Sequence, residues 1–114
     1  MVKLCNTVDE MLEELAAGRS LEVAVGGKSM RGYIEPGQII TIAPVSAEQV
    51  AVGMIVFCHI ERRRGPSYMT HLVEGVAEHG FVICNARGRK NGVARREHVY
   101  GRVTGVAWPD DMPR

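Results

Sequence analysis

Apolar residues recur at two different periods along this chain, and the change of period divides it. Val8, Met11, Leu12 and Leu15 fall at the i, i+3, i+4, i+7 spacing of one helical stripe. Thr7 with Glu10 three residues on is a capping-box pair, acids fill the first turns, and Gly18 is a natural stop. A helix is therefore predicted over 8–17. From Leu21 onward the period is two and the punctuation is Gly, Pro and Ser, which predicts strands at 21–25, 38–43, 54–60, 67–76, 80–84 and 99–107. The run 54–60 is apolar on both faces, the mark of a central strand. Arg62-Arg63-Arg64-Gly65-Pro66 predicts a hairpin and Glu78-His79-Gly80 a second turn. The predicted class is mainly β, with coiled antiparallel sheets forming a small barrel-like fold and one short N-terminal helix.

Length sets the scale: 114 residues bury one core, not two. A single domain is expected over 1–114, with the helix at 8–17, the β region at 20–107 and a short tail at 108–114. At 46% hydrophobic and 24% charged, with net charge +1, the chain is neither disordered nor a nucleic-acid-coating surface. Charge is uneven: residues 1–60 carry four basic against seven acidic side chains, and residues 61–114 carry ten against six. Most of that excess falls in the arginine run 62–64 and around Arg87, Arg89 and Lys90, which read as solvated loops, so a nucleic-acid partner is not expected. Cys5, Cys58 and Cys84 form no CxxC pair and sit far apart, so neither a disulfide framework nor a metal-ligand set is expected. No stretch approaches the roughly 20 apolar residues of a membrane span, and no signal-peptide core opens the chain. A cytoplasmic protein is the expectation.

The stretch 26–37, Gly-Gly-Lys-Ser-Met-Arg-Gly-Tyr-Ile-Glu-Pro-Gly, concentrates the candidate chemistry. It places Ser29 between two predicted strands, beside glycines that let a substrate backbone approach closely. The same composition also makes an ordinary Gly/Ser loop.

Four motifs in order resemble the signal peptidase I and SOS-repressor (LexA-like) superfamily of serine peptidases. Its Gly-x-Ser-Met-x-Pro-x-Ile-x-x-Gly-Asp box is matched at Gly27, Ser29, Met30, Ile34 and Gly37, with Gly32 in place of Pro and Gln38 in place of Asp. Its Val-x-x-Gly-Asp-Ile-Val box is matched by residues 50–56, with Met54 in place of Asp. His71-Leu72-Val73 stands where members with a histidine base carry His-Arg-Val, and Gly101-Arg102-Val103 matches the closing Gly-x-Val strand.

The resemblance implies a nucleophilic Ser29 and a general base that takes its proton. Superfamily members use lysine or histidine; Lys28 adjoins the serine and Lys90 lies in a polar loop, so His71 is the candidate. An imidazole accepts a serine proton near neutrality without the large shift a lysine needs. The family's orienting acid has no counterpart, and Asn85 or Asn91 is the candidate to hold the ring by a side-chain oxygen. The oxyanion donor would be the Ser29 N–H, with Met30 and Ile34 lining a pocket. The implied activity is cleavage of a peptide bond in a peptide or protein substrate by a Ser-His dyad, with no cofactor and no metal. The replaced aspartates keep a second class open, a catalytically inactive peptidase-fold module for peptide or protein binding.

Overall fold

The helix forms where the apolar spacing places it. In the computed structural model, which describes residues 2–109, helix α1 runs Val8–Ala16. Thr7 Oγ1 accepts from Glu10 N at 3.1 Å, and Glu10 Oε1 accepts from Thr7 N at 3.2 Å. This reciprocal pair satisfies N–H groups that a helix start leaves free. Met11 and Leu15 are buried, and so is Glu14. Glu14 stays charged there because the Arg19 guanidinium donates to both its oxygens, at 2.9 and 3.0 Å.

The described residues form eight strands, six of them on the period-two pattern and β1 and β7 besides: β1 (Lys3–Cys5), β2 (Leu21–Ala24), β3 (Ile39–Pro44), β4 (Ile55–Arg62), β5 (Gly65–Ala77), β6 (Gly80–Cys84), β7 (Lys90–Arg95) and β8 (Val99–Ala107). They make one sheet in the order β1-β2-β3-β8-β4-β5-β6-β7, in which β1 and β2 are parallel and the other neighbours antiparallel. The mainly β class with one helix is as expected. The sheet, however, is open, with β1 and β7 as edges, and does not close into a barrel. Arg62 and Lys90, read from sequence as loop residues, end β4 and begin β7. Residues 110–114 of the expected tail lie outside the described residues.

Strand β4 is central, as its two apolar faces require. Phe57 joins a cluster with Met11, Leu15, Leu21, Ile40 and Ile42 beneath α1. Val56, Cys58 and Ile60 join a second cluster with Val73, Phe81, Ile83 and Val99. Covering both faces requires the sheet to bend, and β-bulges supply the bends. Glu74 in β5, Asn91 in β7, Tyr100 in β8 and Thr104 in β8 are each an extra residue skipped by the pairing register. The bent sheet curls β7 back over β4, where Arg62 Nη2 donates to the Asn91 carbonyl at 3.1 Å.

Gly101 marks a place where two layers meet too closely for a side chain. A Cβ there would stand 2.5 Å from Ile42 Cγ2 and 2.8 Å from the Ala43 carbonyl oxygen. Gly101→Ala is expected to destabilise the protein by about 1–3 kcal/mol, read as a lower urea midpoint. Gly75→Ala, with open space around it, is expected to stay within about 0.5 kcal/mol of wild type. A pH prediction follows from Glu14, whose carboxyl is held below its ordinary range, first by the hydrogen bond from Arg19. A lowered carboxyl contributes stability above its unfolded pKa and loses it as pH falls through the folded value. Arg19→Ala is thus expected to lower the melting temperature slightly at pH 7, with the difference from wild type vanishing in strong acid.

Candidate active site

The connection between β2 and β3 is a tied loop rather than a slack one. Val25 N donates to Gln38 O at 2.9 Å and Gly37 N to Val25 O at 2.8 Å, which closes its neck. Inside it the chain coils: Arg31 N donates to Lys28 O, and Tyr33 N and Ile34 N both donate to Met30 O. Met30 and Ile34 are 3% and 1% exposed and plug into the cluster beneath α1. Ala86 N, from the turn after β6, donates to the Ser29 carbonyl at 3.0 Å. Ser29 is therefore anchored on both sides while the residue itself stays exposed.

The departures from the resembled box have local physical counterparts. Gly32 adopts φ +102°, a conformation closed to proline, whose ring holds φ near −65°. Gln38 Oε1 accepts from Glu35 N at 2.7 Å, and Met54 Sδ accepts from Ala51 N at 3.4 Å. At both positions where the resemblance expects an aspartate, the side chain receives a backbone N–H from three residues back.

Ser29 Oγ lies 2.8 Å from His71 Nε2, and His71 Nδ1 lies 2.7 Å from Asn91 Oδ1. These two contacts fix the direction of the proton path. An amide oxygen only accepts, so His71 Nδ1 carries the proton and donates it to Asn91. In the neutral ring Nε2 then faces the serine hydroxyl with its lone pair, the tautomer a general base requires.

Asn91 reaches the ring because it is a bulge. Ile83 pairs with Gly92 and Cys84 with Lys90, so Asn91 is the extra residue of β7. A bulge re-aims one side chain without breaking the strand. Gly92 follows at φ +142°, a backbone conformation that side chains rarely adopt, and packs close to Ile60. The Asn-Gly pair, whose composition suggests a turn, makes this bulge instead. Asn85, the other candidate, is not brought to His71. Its Oδ1 accepts from Arg87 N and Arg89 N, both at 2.9 Å, and so holds the turn between β6 and β7.

Ser29 stands between two clefts of different chemistry. One, about 310 Å³, runs past His71 and is walled by Val8, Met11, Val23, Met30, Ile34 and Phe57. The other, about 260 Å³, is lined by Lys28, Ser29, Asn85 and Arg87. Met30 and Ile34 thus line the apolar cleft as expected while also anchoring the loop. Neither lysine near the site contacts the serine hydroxyl among the described hydrogen bonds, and Lys90 Nζ lies 3.8 Å from Glu74. The cysteines offer no rival nucleophile. All three are free and buried, and burial pushes the Cys58 thiol up to about 12. Sequence reasoning missed the support that Arg62 gives Asn91; the arginine run signalled charge and a hairpin.

No helix of the described residues is long and apolar enough to cross a membrane. Comparison with known proteins finds no matching family model, curated protein or solved structure.

Proposed function

We propose that this chain is a serine peptidase, with Ser29 as nucleophile, His71 as general base and Asn91 as the residue that positions the imidazole. The observation that carries the reading is the continuous hydrogen-bonded line from Ser29 Oγ through both nitrogens of one ring to Asn91 Oδ1, with the tautomer it dictates. Ser29 attacks the scissile carbonyl as His71 Nε2 takes its proton. His71 then returns that proton to the leaving amine, and water releases the acyl-enzyme by the reverse sequence. The Ser29 N–H supplies an oxyanion donor. The apolar cleft accepts an uncharged substrate side chain, and Lys28 and Arg87 favour an acidic residue on the other side of the cut. Three free, buried cysteines suit a reducing compartment, which favours the cytoplasm.

An uncharged Asn91 leaves the transient imidazolium without a counter-charge, which favours slow turnover over rapid turnover. It also keeps the alternative of a binding module that uses the apolar cleft and cuts nothing. A peptide-library digest followed by mass spectrometry separates the two. Wild type is expected to cut, and Ser29→Ala and His71→Ala to abolish cutting. Identical peptide patterns from wild type and Ser29→Ala would leave only the binding reading. A fluorophosphonate probe is expected to label Ser29, whereas iodoacetamide leaves activity intact.

The bulge makes a separate prediction. Asn91→Ala is expected to lower kcat/KM by about 100-fold, because the ring loses the partner that aims it. Gly92→Ala, which strains the bulge without touching Ser29 or His71, is expected to act in the same direction. Full activity in Gly92→Ala, with the fold unchanged by circular dichroism, would dissociate the bulge from catalysis.

A further inference from the structure

Where β4 meets the turn that leads into β8, two imidazoles and a carboxylate converge. His59 and Glu61 are two apart on β4 and so share a face. His59 is buried, with Nε2 3.1 Å from Glu61 Oε2 and Nδ1 2.8 Å from the Tyr100 hydroxyl. His98 arrives from the 3-10 turn Arg96–His98 just before β8, and its ring lies over that of His59 with centroids 3.9 Å apart. One ligand-capable atom from each of His59, Glu61 and His98 lies within 4.8 Å of the other two. His98 Nδ1 is buried without a hydrogen-bond partner. A buried ring nitrogen in that state calls for an explanation.

We propose that His59, Glu61 and His98 bind a divalent transition-metal ion of the zinc class, with Tyr100 as the outer partner that orients His59. The donor set selects the ion: two imidazole nitrogens and one carboxylate suit zinc or cobalt, whereas calcium and magnesium want oxygen ligands throughout. The spacing agrees, since a tetrahedral ion with bonds of about 2.0–2.1 Å sets its ligand atoms roughly 3.3 Å apart. His59 and Glu61 already stand at 3.1 Å. His98 closes the set by turning its ring out of the stack about its side-chain bonds, which leaves the backbone in place.

The protons balance without loss. With the ion on Nε2 of a neutral His59, the ring hydrogen stands on Nδ1 and is donated to the Tyr100 hydroxyl oxygen 2.8 Å away. Glu61 is 58% exposed at its side chain, so the ion has access from solvent and a fourth position open to water. The long sequence separation of His98 from His59 and Glu61 hides the set from any reading of ligand spacing. His59, Glu61 and His98 share no residue with the line from Ser29 through His71 to Asn91, so the proposal does not depend on the peptidase reading.

Untagged protein carrying His71→Ala, which removes the other partly buried imidazole, is stripped with chelator and titrated with Zn²⁺ by calorimetry. One ion per chain is expected. Co²⁺ in its place is expected to give the intense visible bands of a four-coordinate site. His98→Ala and Glu61→Gln are each expected to weaken binding by about 100-fold or more, with far-ultraviolet circular dichroism unchanged. His98→Gln checks that loss follows the ligand rather than the packing of the ring. Absence of stoichiometric Zn²⁺ binding by the parent protein overturns the proposal. So does binding that survives both His98→Ala and Glu61→Gln, because the ion is then held elsewhere.

Discussion

A strand with apolar side chains on both faces has to be covered from both sides, and β4 is such a strand. Helix α1 with β2 and β3 covers Phe57; β6, β7 and the start of β8 cover Val56, Cys58 and Ile60. The second half of that covering forces the sheet to turn back on itself beyond β5. Bulges at Glu74 and Asn91 make the turn, and the second of them delivers a side chain to His71. The line from Ser29 to Asn91 is thus assembled by the burial of β4, with Arg62 at the end of that same strand holding the bulge from behind.

Much of this was legible in the chain because it rests on local pattern. The helix, its capping box, both hairpins and the central strand follow from spacing and turn chemistry alone. Strands β1 and β7 did not show. The first is three residues long with Leu4 exposed; the second has only Val93 and Ala94 as apolar side chains. Open against closed sheet was illegible for a related reason, since closure depends on how two edge strands meet. Ser29 and His71 were legible as a pair through the order of motifs. The choice between Asn85 and Asn91 was not, because it depends on a one-residue slip of register between β6 and β7. The approach of His98 to His59 depends likewise on the Tyr100 bulge between β4 and β8.

The three replacements in the resembled boxes become intelligible at atomic scale. The amide oxygen of Gln38 and the thioether sulfur of Met54 each receive a backbone N–H from three residues back. Gly32 accepts a backbone angle that proline refuses. These positions shape turns and lie apart from the hydrogen-bonded line itself. Gly32 and Gln38 shape the loop around Ser29 and Met54 the turn before β4, and Ser29 and His71 are within contact with these residues in place.

Strand β7 is an edge of the sheet, paired on one side only, by β6. Edge strands open locally at a smaller free energy than the whole molecule unfolds. Opening β7 would part Asn91 from His71 while β4, β5 and the loop around Ser29 stay folded. The imidazole would then be free to change tautomer, so the orientation of the ring is governed by the breathing of one short strand. Two proteins of equal global stability would differ in this respect whenever their β7 edges differ.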